Sequence, residues 1–163
     1  MPVLNIRNAR VEDLPEIQRI YSSARQYMRD CGNHSQWIGG YPSQELLLSD
    51  IEKEQLFIIT KDEAICAVFA FIIGADPTYS YIEDGNWLSD SEYGTIHRIG
   101  SDGTSRDILK HAVEFCEKQI RHLRIDTHED NAKMQQVVLK NGFERCGIIY
   151  LEDGSPRIAY EKV

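Results

Sequence analysis

The sequence has few of the features that mark several classes of protein. Its four cysteines lie far apart and form no Cys-x-x-Cys pair, so neither a disulfide framework nor a zinc site is indicated. The longest apolar run, AICAVFAFIIG at 64–74, is too short to span a bilayer. The amino-terminal stretch MPVLNIRNARVEDL lacks the apolar core of a signal peptide. We therefore expect a soluble, cytoplasmic protein with no membrane partner.

Basic residues are also scarce. The chain holds 18 Lys and Arg against 26 Asp and Glu, a net charge of −8. This balance argues against a nucleic-acid partner, because phosphate binding needs a basic surface, and it allows a cationic substrate. The chain has 163 residues, of which 42% are hydrophobic, and it shows no internal repeat, so we expect a single domain over residues 1–163.

Hydrophobic periodicity predicts the order of strands and helices. Strands are predicted at 4–7, 56–60, 64–74, 95–100, 122–127, 143–151 and 156–163. Helices are predicted at 11–28, 43–54, 105–120 and 131–142, with long loops at 29–44 and 75–95. This order predicts a mixed α/β or α+β sheet with helices on its faces. In such sheets ligands bind where neighbouring strands part, near strand carboxyl ends and helix amino ends.

Residues 131–143, NAKMQQVVLKNGF, carry a resemblance to a known family. Together with the element order and the segments YGTIHRI, DTHEDN and GIIYLEDGSPRIAYEK, they resemble the GNAT superfamily of N-acetyltransferases, and more narrowly small bacterial members of unassigned substrate. Asn131, Lys140, Gly142 and Phe143 match the family's late helix, in which Val138 replaces a Tyr. The resemblance implies the GNAT fold, a mixed, mostly antiparallel sheet of six to seven strands with about four helices.

The resemblance also implies acetyl-CoA as the acetyl donor, without a metal. Amides of the fourth strand around Ile99 and Gly100 would polarise the thioester carbonyl, and Asn131 would bond the pantetheine chain. In the family's pyrophosphate loop, Gln/Arg-x-x-Gly-x-Gly/Ala, this chain has Thr104, Asp107 and Leu109 at the three defined positions. The implied cofactor-binding residues are Arg98, Ile99, Gly100, Thr104, Ser105, Arg106, Asp107, Ile108, Asn131 and Met134.

Thr104 and Asp107 have the spacing of a helix capping box. That spacing predicts that the Asp107 carboxylate folds back onto the first amides of the helix. There it would compete with pyrophosphate for the same donors. Arg106 and Lys110 would offset part of the repulsion.

Direct transfer needs a base that takes a proton from the ammonium group of the acceptor. We predict His97, because it lies on the fourth strand, beside the thioester that the resemblance implies, and because an imidazole titrates near working pH. A purely structural histidine is the alternative. Strand alternation places His97 and Ile99 on one face. Glu83 and Asp84 are alternative bases acting through water. Tyr150 is predicted to replace the missing acid, with an ordinary strand tyrosine as the alternative.

Aromatic and acidic residues in the two long loops predict the acceptor pocket, because aromatic faces and carboxylates suit an ammonium group. The predicted substrate-binding residues are Gln36, Trp37, Tyr41, Tyr81, Asp84 and Trp87. We therefore expect a small-molecule or amino-acid-like amine as acceptor, and the oligomeric state, including a homodimer, stays open.

Two other readings remain. The substitutions at Asp107, Leu109 and Val138 also fit a protein of the same fold that has lost transfer and serves as a binding or sensor domain. The alternating Asp126, His128 and Asp130 suggest a second alternative, a metal-dependent hydrolase. A helix cap by Asp130 or Asn131 explains this stretch better.

Overall fold

The strands of the computed structural model form one sheet in the order β1-β2-β3-β4-β5-β7-β6. The structure describes residues 4–34, 36–37 and 40–163. The strands are β1 (Leu4–Asn8), β2 (Leu56–Lys61), β3 (Ala64–Ile73), β4 (Gly94–Ser101), β5 (Leu123–Thr127), β6 (Glu144–Tyr150) and β7 (Pro156–Lys162). The helices are α1 (Leu14–Asp30), α2 (Gln44–Glu52), α3 (Ile108–Glu117) and α4 (Ala132–Lys140).

This architecture confirms the predicted fold class. β4 and β5 run parallel, and the other neighbouring strands pair antiparallel. Within the described residues, no helix is long and apolar enough to cross a bilayer. The loop predicted at 29–44 contains residues 35, 38 and 39, and the predicted domain contains residues 1–3, all of which lie outside the described residues.

β3 lies at the centre of the sheet and is buried on both faces, as its continuous apolar run predicts. On one face, Phe69 belongs to a core shared with α3 and α4. On the other, Val68 packs with Ile17 and Ile20 of α1, both fully buried. The helices thus cover the two faces of the sheet and leave its ends for binding.

The fourth strand departs from the regular alternation predicted for it. His97 pairs with Ala70 and Gly100 with Val68, so Arg98 and Ile99 together oppose a single residue of β3. Arg98 has a φ of 52°, in the left-handed region, which marks a β-bulge. Ile96 and Ile99 consequently pack against the same core. The prediction that His97 and Ile99 share a face is therefore wrong, because the bulge shifts the alternation by one residue.

A buried ionic cluster fastens the 75–93 connection to the sheet. Glu161, which is 0% exposed, accepts hydrogen bonds from His122, the Arg124 side chain and the Leu88 amide. The Arg124 guanidinium lies 3.8 Å from the Trp87 ring centroid, and its other face is covered by Tyr93. A charge buried this deeply is tolerated because its partners satisfy it.

We expect Glu161→Gln to destabilise the protein by about 3–5 kcal/mol, since it leaves the Arg124 guanidinium buried without its counter-charge. Denaturant unfolding monitored by circular dichroism measures the change. Glu16→Gln is the control: the Glu16–Arg19 pair is about half exposed and should cost less than ~1 kcal/mol. Equal effects of the two substitutions would show that the cluster contributes no special stability.

Candidate active site

A gap opens in the sheet between β4 and β5. The two strands pair at Gly94–Leu123 and Thr95–Arg124, and the described ladder contains no further pair between them. Beyond this point β4 continues to Ser101 and β5 to Thr127. The gap therefore lies at the carboxyl ends of two parallel strands, which is where a mixed sheet of this kind binds ligands.

The bulge of β4 lines one side of this gap. A bulge leaves its extra residue unpaired in the ladder, so an amide at Arg98 or Ile99 is available to another acceptor. The Arg98 side chain points elsewhere: its guanidinium donates to Asp50 at 2.6 Å and to the Tyr41 hydroxyl at 3.4 Å. The Arg98 side chain thus ties β4 to α2 and the loop before it, and its carbonyl accepts from the Tyr21 hydroxyl of α1 at 2.7 Å. The backbone amides of the bulge are what remains for the gap.

His97 lies just before the bulge and is surrounded by acidic and phenolic groups. Its Nε2 is 3.1 Å from Oδ2 of Asp76, and its ring centroid is 6.4 Å from that of Tyr79. The Tyr79 hydroxyl donates to Asp126 of β5 at 2.6 Å. Burial raises the pKa of Asp126, and the charge of His97 and the Tyr79 bond only partly oppose that rise. The two strands thus contribute His97 and Asp126 to one polar cluster at the gap.

Asp76 is a member of this cluster that the sequence did not reveal. Burial alone would raise the pKa of Asp76, but hydrogen bonds from His97 and Thr78 outweigh it and lower the pKa to about 2. The spacing Asp76-x-Thr78 is that of an Asx turn, and the Thr78 amide does donate to Asp76 at 2.9 Å. That local signal predicts the turn, whereas the contact with His97, which is distant in sequence, needs the folded chain.

The amino end of α3 differs from the predicted capping box. Asp107 is the N-cap residue, with φ 58° and ψ 34°, and its side chain makes no capping bond. Thr104 bonds instead to Asp102, through both its amide and its hydroxyl. The capping-box prediction is wrong because α3 begins at Ile108, so Asp107 is its N-cap residue and not the third residue of its first turn. The left-handed φ of Asp107 is one that glycine adopts without steric cost.

The turn before α3 carries several polar groups around these amides. The Ser105 hydroxyl oxygen is buried and has no hydrogen-bond partner within the described residues. Lys61 donates to the Thr104 carbonyl at 3.4 Å, whereas Arg106 is exposed. Ile108, the first residue of α3, packs its side chain against the core. An anion placed here would meet backbone donors and the positive charge of Lys61 and Arg106, beside the opposing charge of Asp107.

Asn131 begins α4 on the far side of the gap. Its Oδ1 accepts from the Met134 amide at 3.1 Å, which confirms the predicted cap by Asp130 or Asn131. Its Nδ2 donates to Gln36 at 3.2 Å, and Asn33 donates to the same Gln36 oxygen. The loop predicted to bind the acceptor therefore meets the residue that the resemblance assigns to the cofactor.

Glu83 and Tyr150 form a second polar group with Tyr81. Both tyrosine hydroxyls donate to the Glu83 carboxylate, at 2.8 Å from Tyr150 and 2.9 Å from Tyr81. The bonds from Tyr150 and then Tyr81 lower the pKa of Glu83, and the Tyr150 bond to Glu83 raises the pKa of that tyrosine. β5 and β7 lie between β4 and β6, so Tyr150 is three strand spacings, roughly 14 Å, from the bulged strand.

The other predicted acceptor residues divide into packed and exposed ones. Trp87 donates its indole N–H to the Tyr79 carbonyl at 2.9 Å and lies over Arg124, and Trp37 packs edge-on against Tyr21. Tyr41 is 38% and Tyr81 60% exposed, and Asp84 is exposed. The exposed residues are open to a ligand, whereas the two tryptophans support the loops.

The stretch 126–130 does not assemble a metal site. Asp126 is bonded to Tyr79, and Nδ1 of His128 accepts from the Asp130 amide at 3.0 Å. Among the described residues, no group of three or more His, Cys, Asp and Glu side chains is placed to hold a metal ion. The residues of this stretch instead shape the end of β5 and the start of α4.

Comparison with known proteins now gives the family. The GNAT-family acetyltransferase from Streptococcus agalactiae 2603 is 30% identical, and the alignment covers 98% of this chain and 95% of that one with a TM-score of 0.86. The chain belongs to the GNAT family of acetyltransferases. No protein-family model matches the sequence, and no curated protein matches it.

Two more distant structures share the GNAT fold. The PaiA N-acetyltransferase from Thermoplasma acidophilum, solved in complex with coenzyme A, is 18% identical; the alignment covers 98% of each chain with a TM-score of 0.69. The ribosomal-protein-S18-alanine N-acetyltransferase from Escherichia coli is 17% identical; coverage is 98% of this chain and 93% of that one, with a TM-score of 0.61.

As a GNAT protein the chain has an apolar residue where the resemblance implies an acid. Val138 of α4 is 0% exposed and belongs to the core that α3 and α4 cover. Met134 packs at the edge of the same core. The GNAT chain thus combines a bulged fourth strand with a late helix that supplies packing and a cap.

We expect Asp76→Asn to flatten the acid limb of the stability curve. Because the folded-state pKa of Asp76 is depressed to about 2 from 3.8, its contribution is present above pH ~4 and is lost as pH falls towards 2. After allowance for solvent screening the contribution is roughly 1 kcal/mol. Urea unfolding at a series of pH values measures it. Subtracting the variant's curve from the wild-type curve removes the opposite contribution of Asp126, whose pKa is raised; parallel curves would contradict the expectation.

Proposed function

We propose that the protein is an N-acetyltransferase that moves the acetyl group of acetyl-CoA directly to a primary amine of a small molecule or amino-acid-like acceptor. The observation that carries this proposal is the bulge of β4 beside His97, at the point where β4 and β5 part. It combines a free backbone donor with an imidazole in one place, which is what acyl transfer to an amine requires.

The residues around the gap fit the acetyl donor. The backbone of Arg98, Ile99 and Gly100 would run along the pantetheine arm and donate to the thioester carbonyl. The uncapped amides of α3 and the Ser105 hydroxyl would receive the pyrophosphate. Asn131, at the start of α4, has a side-chain amide that donates to Gln36 and would bond the pantetheine arm from the other side of the gap.

The proposed reaction transfers one acetyl group and moves two protons from the acceptor nitrogen. His97 takes one proton from the ammonium group of the acceptor, and the neutral amine nitrogen then forms a bond with the acetyl carbon. Backbone donors at the bulge stabilise the negative charge that develops on the carbonyl oxygen. The carbon–sulfur bond breaks with its electron pair on sulfur, and the thiolate takes the second nitrogen proton, while His97 releases the first to solvent.

The charge around the gap supports a cationic acceptor. Asp76, beside His97, is a carboxylate throughout the neutral range because its pKa is about 2. Glu83 is a second carboxylate farther out, next to β6, with its pKa lowered by two tyrosine bonds. The exposed rings of Tyr41 and Tyr81 offer faces for cation–π contact. Gln36 and Asp84 lie in the same two loops, so the proposed acceptor carries an ammonium group and polar substituents.

The alternative function, a GNAT-fold binding or sensor domain, rests on the missing acid. Val138 is buried. The hydroxyl of Tyr150, on β6, bonds to Glu83, and β6 is separated from the bulged strand by β5 and β7. We nevertheless favour transfer, because a thiol has a pKa of about 8.5, so its thiolate leaves without full protonation close to neutral pH.

Calorimetric titration with acetyl-CoA, followed by a thiol-release assay over a panel of primary amines, tests the proposal. Micromolar binding and release of one thiol per acetylated amine, with the product identified by mass spectrometry, would support transfer. Binding without release over the panel would favour the sensor domain. Absence of binding at millimolar acetyl-CoA would refute the transferase.

We expect Asp107→Asn to tighten acetyl-CoA binding. A charge beside a helix amino end is worth about 0.3–1 kcal/mol, and removing this one should lower the Kd about two- to fivefold. Asp107→Gly should do the same and also relieve the left-handed backbone. Calorimetry measures both, with Asp153→Asn on a distant turn as the control. Unchanged binding in both Asp107 variants would show that the carboxylate does not oppose the pyrophosphate.

We expect His97→Gln to lower kcat/KM by about 10²–10⁴-fold and to remove its decline below neutral pH, because the variant has no imidazole to protonate. Initial rates between pH 5.5 and 9 measure the effect. The control is His111→Gln, at a half-buried α3 residue that has no assigned role. A variant profile that keeps the wild-type shape would remove His97 as the base and point to Glu83 or Asp84.

A further inference from the structure

Asp76 is held by more contacts than a residue of an ordinary surface turn. Its amide donates to the Tyr93 hydroxyl at 2.8 Å, and its Oδ1 accepts from the Thr78 amide and hydroxyl at 2.9 and 2.7 Å. Its other carboxylate oxygen lies 3.1 Å from His97. The side chains of Asp76 and His97 are only 19% and 21% exposed. The Tyr93 bond therefore fixes the backbone of Asp76 and the two Thr78 bonds fix its carboxylate, which leaves Oδ2 beside the imidazole.

This arrangement determines which ring nitrogen of His97 carries the proton. Oδ2 of Asp76 is a carboxylate oxygen and accepts only, because the Thr78 and His97 bonds lower the pKa of Asp76 to about 2 against the effect of burial. Nε2 must then be the protonated nitrogen of the neutral ring. Nδ1 keeps its lone pair and is the nitrogen that can accept a proton from an acceptor ammonium.

Other charged and titratable groups face His97 from two elements. Tyr79, from the same connection as Asp76, has its pKa raised well above 10 by burial and by Asp126. Asp126, on β5, has its pKa raised mainly by burial and accepts from Tyr79. Because the Tyr79 hydroxyl donates its hydrogen bond to Asp126, it does not compete with Asp76 as a partner of His97 Nε2. Asp76 is left as the group that orients the ring.

We propose that Asp76 is a positioning residue that holds His97 with Nε2 protonated and Nδ1 directed to the acceptor amine, and that stabilises the imidazolium formed when His97 takes the ammonium proton. This inference rests on the proposed function, since it assumes His97 as the base. It adds a residue and a tautomer to that function. Asp76 itself neither contacts the reacting atoms nor changes its protonation state during the step.

The first test is the tautomer of His97, read from nitrogen-15 chemical shifts of the wild-type protein at a pH where the ring is neutral. Comparison with His97→Gln assigns the signal. We expect protonated Nε2 and unprotonated Nδ1 in the wild type, and a mixture of the two tautomers in Asp76→Asn. A wild-type ring protonated on Nδ1 would overturn the proposal, and this readout needs no acetyl transfer.

The second test is a double-mutant cycle in the transfer assay. Asp76→Asn should lower kcat about 10- to 100-fold in the wild type, a part of the benefit of general-base catalysis, and less than about twofold in His97→Gln. The KM for acetyl-CoA should stay unchanged. Equal losses in both backgrounds would mean that Asp76 only supports the fold. If the tautomer is as expected but no amine is acetylated, the proposed function fails while the Asp76–His97 contact stands.

Asp153→Asn is a matched control for both tests. Asp153 makes the same turn as Asp76, accepting from the amide and hydroxyl of Ser155 two residues on, but it has no histidine partner among the described residues. It should lose a similar amount of turn stability and leave kcat and the His97 tautomer unchanged. A change in kcat with this variant as large as that with Asp76→Asn would overturn the specific role of Asp76.

Discussion

The short parallel pairing of β4 with β5 is the constraint on which the rest of the site depends. Two residue pairs join the strands at Gly94–Leu123 and Thr95–Arg124, and then they part. A parallel ladder needs a crossover connection, here through α3, and that crossover places a helix amino end beside the strand ends. The bulge at Arg98 and Ile99 lies just beyond the last pair, so the free backbone donor and the opening of the gap coincide.

Electrostatics around this gap follow from differences in burial and bonding. Asp76 and Asp126 are both aspartates near His97, yet hydrogen bonds lower the pKa of the first and burial raises that of the second. The carboxylate of Asp76 therefore carries a permanent negative charge. The charged form of Asp126 is instead stabilised by the hydrogen bond from the Tyr79 hydroxyl. The buried Glu161 cluster holds the connection that carries Asp76 and Tyr79, which links the stability of the fold to the geometry of the site.

The resemblance to the GNAT family, carried by residues 131–143 and the element order, predicted the site region, and the fold comparison confirms the family. Local patterns were less dependable inside that region. Thr104 and Asp107 have capping-box spacing, but α3 begins at Ile108, which makes Asp107 the N-cap residue and leaves Thr104 outside the helix. Alternation misplaced Ile99 because a bulge inserts one residue without a clear sequence signal. Backbone irregularities of this kind arise from packing between strands and are poorly encoded in any short segment.

The sequence by itself determined the fold class, the approximate bounds of the strands and helices and the Asn131 cap. These follow from periodicity and capping chemistry, which are local properties of the chain. The choice of His97 as a candidate base needed, besides its residue type, the thioester position that the family resemblance implies. Only the tertiary structure decided that Asp76 contacts His97, that Tyr150 is held by Glu83 away from β4, and that Trp87 supports a loop. Each of those contacts joins residues distant in sequence, and their geometry depends on how the strands diverge and twist, which no local pattern specifies.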